Sequence, residues 1–275
     1  MRLDLHIHSS ASDGAWSPEA VVRGAAAGRL DVIALADHDT IAGFADAERA
    51  GEETRVRVVP AVEVSSTHGR VDIHVLGYFV DPDAPSLAAH TERAGRRRRE
   101  RMREMLERLR AQGVHVTYAA VEEAAGRARD VIGRPHLAKA LVAAGYAASV
   151  PDAFDRLIGD RHPAFVPTEL LDPVGAVGVV KAAGGVPVWA HPPASLIDEL
   201  LSPMMRAGLR GLEVWRPRND PAHVERYEAI CRTTGLLMSG GSDWHSPDGG
   251  VALGDFAVSG ENVAALLAAG ESGAR

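Results

Sequence analysis

Short hydrophobic, β-branched segments alternate along the chain with alanine-rich segments of helical periodicity. The first part reads RLDLHIH, SPEAVVRGAAAG, DVIALADHD, TIAGFADAERAGEE, VRVVPAVEVS and VDIHVLGYFV in succession. The alternation resumes after residue 168, where helical segments lead into VPVWAHP, GLEVW and LLMSGGSDWHS. Strands and helices that alternate in this way are typical of βα units around a parallel sheet. The pattern therefore predicts an α/β fold with its chemistry at the carboxyl ends of the strands.

The segment 85–167 departs from this alternation because all of its periodic runs are helical and most end at glycines. We interpret it as a helical insertion, a substrate cap, within one barrel domain formed by 1–84 and 168–275. Its first helix carries an apolar stripe at Met102, Met105, Leu106 and Leu109. The arginines beside this stripe are Arg96, Arg97, Arg98, Arg99, Arg101 and Arg103. Because glutamates alternate with them, a solvated helix face is favoured over a surface for RNA phosphates.

Composition and charge restrict the class of protein. With 46% hydrophobic residues the chain can bury a large core, and its net charge of −7 opposes the approach of polyanions such as nucleic acid. Anionic substrates therefore require a local source of positive charge. The single cysteine, Cys231, excludes an intramolecular disulfide and a thiolate zinc site, and we expect it to be buried. No leader or membrane-spanning segment is recognised, so we predict a soluble cytoplasmic protein. No protein partner is predicted from the sequence.

The N-terminal strand LDLHIH presents two histidines to the same space. Side chains alternate between the two faces of a strand, so Asp4, His6 and His8 share one face. Two neutral imidazoles at this separation can chelate a divalent ion, and Asp13 can reach a neighbouring ion. A His-x-His pair on a strand is weak evidence when it stands alone.

Similar clusters follow other strands. Three ionisable groups end the strand DVIALA, and a helix N-cap by Asp39 accounts for only one of them. A histidine inside an apolar strand, such as His74, is more often a core residue. A single metal cluster nevertheless explains all of these positions together, whereas the alternatives require independent accidents at several strand ends. The candidate residues beyond the first strand are Asp37, His38, Asp39, Glu63, His74, His191, Asp243 and His245.

As an ordered set, these motifs resemble the PHP (polymerase and histidinol phosphatase) domain phosphoesterases. The resemblance spans nearly the whole chain. The insertion with Gly133-Arg134-Pro135-His136 further resembles the TrpH/YciV-like branch, which includes nucleoside 3′,5′-bisphosphate phosphatases that are also 5′→3′ exoribonucleases. The family fold implies a distorted (β/α)7 barrel with a trinuclear metal site.

Carried over by motif, the resemblance implies three sets of metal ligands. The first set is His6, His8, Glu63 and Asp243, the second is Glu63, His74 and His191, and the third is Asp13, His38 and His245. Some relatives have histidine where this chain has Asp13, so an oxygen-richer third site favours Mn²⁺ or Fe²⁺ over an all-zinc set. Ala36 stands where the family often has threonine, a position that is not a ligand.

The implied reaction is hydrolysis by a hydroxide that bridges two ions, with Asp243, Glu63 and His191 acting through the metal cluster. Three divalent ions carry +6 against −3 from Glu63, Asp13 and Asp243, so the pocket attracts a phosphate dianion. A covalent mechanism through Ser242, Asp243 and His245 is disfavoured. These residues are too close in sequence to form a catalytic triad, and the chain has no G-x-S-x-G turn.

Arg134 and His136 are the predicted substrate-binding residues, since a guanidinium and an imidazole at a helix start can bind a second phosphate. The alternative is a surface helix cap. Arg216 and Arg218 are weaker candidates for the same task. No role is assigned to the histidines in segments that resemble loops or exposed helices, namely His68, His90, His115, His162 and His223.

The predicted substrates are nucleotides such as 5′-AMP and adenosine 3′,5′-bisphosphate, together with short RNA degraded from the 5′ end. Two other enzymatic possibilities stay open, a phosphatase for another small ester such as histidinol phosphate and a cyclic-phosphate diesterase. A non-catalytic metal-binding PHP module is a third possibility. Aromatic residues make up only 5% of the chain, which favours short substrates over long single strands.

Overall fold

The computed structural model describes residues 1–126, 131–249 and 251–273. Eight strands form one sheet: β1 (Arg2–Ile7), β2 (Val32–Leu35), β3 (Arg57–His68), β4 (Val71–Tyr78), β5 (Val186–Trp189), β6 (Gly211–Trp215), β7 (Leu237–Gly240) and β8 (Val258–Ser259). Their order in the sheet is β7-β6-β5-β4-β3-β2-β1-β8. The first seven strands form the predicted barrel, and β8 is a two-residue addition.

Closure of the barrel occurs where the chain leaves β7 and meets the end of β1. The Asp243 N–H donates to the His6 carbonyl at 2.8 Å, and the His8 N–H donates to the Trp244 carbonyl at 2.9 Å. The segment that carries Asp243 is therefore held directly against the strand that carries the two N-terminal histidines.

Helices on the outside of the barrel connect its strands. They are α1 (Pro18–Ala27), α2 (Phe44–Thr54), α7 (Pro173–Ala182), α8 (Ile197–Ala207), α9 (Pro221–Thr234) and α10 (Ala264–Gly273). Several begin in the way that their sequences favour, with a Ser or Asp N-cap and proline at the first helical position. Ser17 caps α1 and Asp172 caps α7, and each side chain accepts a backbone N–H of the first turn.

One strand runs against the predicted parallel direction. A tight turn at Gly69 and Arg70 joins β3 to β4, and so short a connection permits only antiparallel pairing. The strand β4 is also antiparallel to β5. Because β4 runs in reverse, its first residues lie at the barrel end where the other strands finish. This reversal brings His74 to the barrel mouth, although it follows the start of its strand and not the end.

Helices fill the interval between β4 and α7, and no strand occurs there among residues 79–126 and 131–172. They are α3 (Pro85–Ala111), α4 (Tyr118–Ala125), α5 (Arg134–Ala143) and α6 (Val150–Ala153), the last continuing as a π-helical turn over Phe154–Ile158. Side chains of this interval form their own apolar cluster, which includes Met102, Met105, Leu109, Leu137 and Leu141.

The prediction of a solvated arginine face on α3 is wrong at two positions. Arg98 is 6% exposed and Arg101 is 5% exposed, and both lie on the same buried stripe as Met102 and Met105. His90, which has no role predicted from the sequence, is completely buried on that stripe. Their partners are Asp39 after β2, Ser65 on β3, Asp72 on β4 and the Val166 carbonyl, so a pattern within one helix cannot reveal them.

Cys231 is buried, as expected. No helix in the described ranges is long and apolar enough to cross a membrane.

Candidate metal centre

All nine predicted metal ligands converge at the mouth of the barrel. Their donor atoms fall into four overlapping groups, and within each group the atoms lie within 4.8 Å of one another. The groups are His6, His8 and Asp243; His6, Glu63 and His191; His38, Glu63 and His74; and His8, Asp13, His38 and His245.

The first implied set has the dimensions of a single ion site. The Nε2 atoms of His6 and His8 are 3.1 Å apart, and each is 3.3–3.4 Å from Oε2 of Glu63. Oδ1 of Asp243 lies 3.4 Å from Nε2 of His6 and 3.2 Å from Nε2 of His8. Metal bonds of about 2.1 Å place neighbouring ligands about 3.0 Å apart at right angles and about 3.4 Å apart in a tetrahedron. The observed separations lie within this range.

The second implied set uses the other oxygen of Glu63. Oε1 of Glu63 is 3.1 Å from Nδ1 of His74 and 2.9 Å from Nε2 of His191. The two imidazole nitrogens are 3.3 Å apart. Glu63 therefore turns one carboxylate oxygen toward each of two neighbouring sets, which is the geometry of a bridging ligand.

The third implied set is wider and shares residues with the others. Oδ1 of Asp13 lies 3.3 Å from Nε2 of His245, and Oδ2 of Asp13 lies 3.8 Å from Nε2 of His38. Nδ1 of His8 is 3.7 Å from Oδ1 of Asp13, so His8 belongs to this group as well as to the first. Nδ1 of His38 is also 3.0 Å from Oε2 of Glu63. In these two respects the arrangement departs from the implied assignment.

Buried donor atoms in these groups lack ordinary partners. Nδ1 of His8, Nδ1 of His38 and Oε2 of Glu63 make no hydrogen bond of ordinary geometry in the described part of the chain, although the last two atoms lie 3.0 Å apart. Buried polar atoms are nearly always paired, and leaving one unpaired costs about 1–3 kcal/mol. Atoms of this kind, drawn from imidazoles and a carboxylate, suit divalent cations. The residues present therefore fit a multinuclear metal centre.

Burial and neighbouring charges shift the pKa values of the carboxyl and imidazole groups in the cluster strongly. Burial opposes the charged forms, yet surrounding imidazoles hold the pKa of the Glu63, Asp13 and Asp243 carboxyls well below their usual range. Burial likewise lowers the pKa of His8, but the adjacent carboxylates of Asp243 and Glu63 outweigh it and raise that pKa to about 10. The carboxylates are thus ionised at neutral pH, as metal ligands must be.

Two carboxylates behind the ligands were missed as functional residues in the sequence. Glu213 on β6 is completely buried and contacts both His6 and His191. Oδ1 of Asp4 accepts the Ser242 N–H at 2.8 Å and the His6 N–H at 3.3 Å. Burial raises the pKa of Asp4 to about 6. The only sequence signal for Glu213 is a single acidic residue inside the apolar strand GLEVW.

The two aspartates that flank His38 brace the centre. Oδ1 and Oδ2 of Asp37 accept hydrogen bonds from the N–H and hydroxyl of Ser9 in the loop that leads to Asp13. Asp39 is not a helix cap, because α2 begins after Gly43. Its carboxylate instead accepts from the Ser65 N–H, His90 Nε2 and Arg98, and its backbone has a positive φ of 55°.

The two predicted substrate-binding residues lie at the start of α5, as expected. The Arg134 guanidinium is 3.4 Å from Oδ2 of Asp72, bonds to Asp160, and packs 5.0 Å from the Phe165 ring centre. Nδ1 of His136 accepts the Gly133 N–H at 3.0 Å, which completes a capping interaction.

His136 is 2% exposed, and burial lowers its pKa to about 4. The charges of Asp13 and His38, two members of the third group, also act on this pKa. Nδ1 of His136 therefore caps its own helix, although the residue is buried and does not lie on the surface, and Nε2 keeps its proton as a donor.

Comparison with known proteins agrees with the predicted resemblance. Residues 4–120 match the PHP domain family. A 3′,5′-nucleoside bisphosphate phosphatase of Chromobacterium violaceum is 34% identical over 90% of this chain and 88% of its own length. A 5′-3′ exoribonuclease of Haemophilus influenzae is 32% identical over 92% of this chain and 93% of its own length. A phosphoribosyl 1,2-cyclic phosphate 1,2-diphosphodiesterase of Eggerthella lenta is 33% identical over 93% and 98%.

The fold is similar to the crystal structure of a Bifidobacterium adolescentis protein that was provisionally assigned as a metal-dependent phosphoesterase. The TM-score is 0.89 at 34% identity, and the match covers 97% of this chain and 95% of that one. The predicted family and fold class are confirmed. Fold, ligand geometry and relatives agree that this chain belongs to the PHP domain family and is a metal-dependent phosphoesterase.

Proposed function

We propose that the protein hydrolyses phosphate esters of nucleotides such as 5′-AMP and 3′,5′-bisphosphonucleotides, and degrades short oligoribonucleotides from the 5′ end. The observation that carries this proposal is the convergence of nine His, Asp and Glu side chains beside an arginine-bearing insertion. The names of the C. violaceum and H. influenzae relatives support nucleotide and RNA substrates. The proposal keeps the cytoplasmic location expected from the sequence.

The proposed centre holds three divalent ions, with Mn²⁺ preferred and Fe²⁺ or Zn²⁺ as alternatives. When bound, the ions supply Lewis acidity and a hydroxide nucleophile at neutral pH. Glu63 joins two of the ligand sets through its two oxygens, while Asp243 and His191 complete them. Because Asp13 contributes an oxygen where some relatives have an imidazole nitrogen, the third set favours the harder metals.

The residues around the centre determine where a substrate phosphate is held. We propose that segment 85–167 acts as a substrate cap and that Arg134 and His136 bind the phosphate that does not react. Arg134 and Arg101 share the carboxylate of Asp72, and Arg134 also pairs with the exposed Asp160, whose place a substrate phosphate would take. The Nε2–H of His136 offers a neutral donor because Gly133 occupies Nδ1. A bisphosphate would thus be held at both ends.

A second candidate is a cyclic-phosphate diesterase, favoured by the E. lenta relative, which matches over 98% of its length. The same ligand sets would serve either reaction, since both require a hydroxide and a clamp on the phosphate oxygens. Substrate preference therefore has to separate the two.

The test is a substrate panel with protein that has been stripped of metal and reloaded with Mn²⁺. The panel contains adenosine 3′,5′-bisphosphate, 5′-AMP, histidinol phosphate, a ribose 1,2-cyclic phosphate and a 5′-phosphorylated oligoribonucleotide, with products separated by chromatography. We expect the nucleotides to have the highest kcat/KM. Preference for the cyclic ester would establish the second candidate, and no turnover of any ester would overturn the proposal.

The substrate-binding role of Arg134 is tested with Arg134→Met. A hydrogen bond to a charged group contributes about 1.5–3 kcal/mol, so kcat/KM for the bisphosphate should fall about 10–150-fold. The value for 5′-AMP should change much less, because it lacks the second phosphate. Arg156→Met is the matched control, since Arg156 is an exposed arginine of the same insertion that pairs with Asp152. Equal losses on both substrates would contradict the assignment.

Metal number and identity are tested by elemental analysis of protein purified without chelators. We expect three ions per chain with manganese predominant. Asp243→Asn, which removes one ligand charge from the first set, should retain fewer ions and lose activity. A variant with full metal content and unchanged turnover would exclude Asp243 from the centre.

A further inference from the structure

Glu213 is a buried carboxylate that belongs to none of the four groups of donor atoms at the barrel mouth. It lies in the middle of β6, where its neighbours Leu212 and Val214 point into an apolar cluster on the opposite face. Its side chain is 0% exposed. A buried carboxylate is costly unless its oxygens are hydrogen-bonded, so its partners indicate what it does.

One oxygen of Glu213 controls the imidazole of His6. Oε1 lies 2.8 Å from Nδ1 of His6, which is the nitrogen that faces away from the ligand groups. A carboxylate accepts and cannot donate, so Nδ1 must carry the proton. The Nε2 atom, which faces His8, Glu63 and Asp243, then presents its lone pair to a cation. Glu213 therefore sets both the orientation and the tautomer of His6.

The other oxygen controls the backbone of His191. Oε2 accepts the His191 N–H at 2.7 Å. His191 has a positive φ of 31°, a conformation that non-glycine residues rarely adopt and that needs support from its surroundings. The hydrogen bond from Glu213 supplies part of this support at the residue whose Nε2 lies 2.9 Å from Glu63.

We infer that Glu213 is a positioning residue that couples two ion sites, acting through His6 on the first set and through the His191 backbone on the second. The inference rests on the proposed metal centre. The set formed by Asp13, His38 and His245 has no direct contact with Glu213 among the contacts of the described residues. Loss of Glu213 should therefore weaken two sites together and leave the third unaffected.

The test measures ion affinities of folded Glu213→Gln with a chelator-buffered Mn²⁺ series and elemental analysis. The glutamine oxygen can still accept the His191 N–H, but its NH₂ opposes the Nδ1–H of His6. We expect the affinity of two of the three ions to fall about 10–100-fold, the range for residues that support metal ligands. Glu228→Gln is the control, because Glu228 accepts from Trp215 Nε1 on the outside of the barrel.

A purely structural role would give a different result. In that case Glu213→Gln would lower the free energy of unfolding but leave the ion affinities of the folded protein unchanged, and the inference would be overturned. If the glutamine variant does not fold, the same ion affinities are measured with Glu213→Asp. Aspartate keeps the charge but is one methylene too short to reach both partners, so the two affinities should still fall. Wild-type protein without bound ions would instead refute the proposed metal centre.

Discussion

Removing the Arg98 guanidinium should destabilise the protein severely, because it would leave the buried carboxylate of Asp39 without its counter-ion. Nε and Nη2 of Arg98 lie 2.9 and 2.5 Å from Oδ2 of Asp39, and Nη2 also donates to Ser65 Oγ at 2.8 Å. The side chains are 7% and 0% exposed. Solvent screening is therefore weak at this pair.

The magnitude follows from the partners that would remain. Breaking a buried ion pair by deleting one partner costs about 3–5 kcal/mol. Asp39 would keep its hydrogen bonds from Ser65 and His90, which favours the lower end of that range for Arg98→Met. About 3 kcal/mol is a large share of the 5–15 kcal/mol by which proteins are typically stable. Because Asp39 adjoins His38, binding of the third ion should weaken as well.

The assay is urea unfolding followed by circular dichroism in the presence of a chelator. Arg96→Met is the matched control on the same helix, because Arg96 is 54% exposed and pairs only with Glu92 in the described contacts. It should cost less than about 1 kcal/mol. The double variant Arg98→Met with Asp39→Asn should be more stable than the sum of the single effects predicts. A loss for Arg98→Met no larger than that of the control would refute the buried-pair reasoning.

Three other predictions address titration and packing. Binding of Mn²⁺ at pH 7 should release protons, since ligand imidazoles with raised pKa values must become neutral. Calorimetry in two buffers with different ionisation enthalpies measures this release, and a binding enthalpy that is the same in both buffers would contradict the prediction. The pKa of His136 is about 4, below the unfolded value of about 6.5, so stability should fall as pH drops from 6.5 to 4. The variant His136→Asn keeps an acceptor for the Gly133 N–H but cannot titrate. Between pH 6.5 and 4 its free energy of unfolding should therefore fall by about 3 kcal/mol less than that of the wild type, and identical pH profiles of the two proteins would exclude the lowered pKa. A Cβ on Gly241 would overlap with the Cβ and the backbone nitrogen of His6, so Gly241→Ala should displace β1 and reduce metal binding. Gly178→Ala, where a Cβ meets open space, should be neutral or stabilising, and equal metal content in the two variants would contradict this prediction.

The sequence predicts most of the fold because the relevant signals are local. Strand and helix periodicities, glycine stops and N-caps each act over a few residues, and the α/β assignment follows from them. The direction of β4 depends on the short turn at Gly69, a feature that the alternation of strands and helices does not register. The reversal then explains why His74, inside an apolar strand, is a ligand candidate and not a core residue.

The candidate ligands could also be found in the sequence, because ionisable residues at the ends of apolar strands are costly to bury unless they bind a partner or an ion. The residues that hold those ligands in place could not be found in the sequence. Glu213 is a single acidic residue in an apolar strand, and Arg98 and His90 look like parts of an exposed charged helix. Their roles depend on partners far away in the chain, which only the folded arrangement brings together.

Anomalous X-ray diffraction from crystals of Mn²⁺-loaded protein, collected on both sides of the manganese absorption edge, tests the central claim most directly. The account predicts three anomalous peaks at the barrel mouth, with Glu63 between two of them and His6 and His191 on different ions. Peaks elsewhere, or none within bonding distance of these side chains, would contradict it.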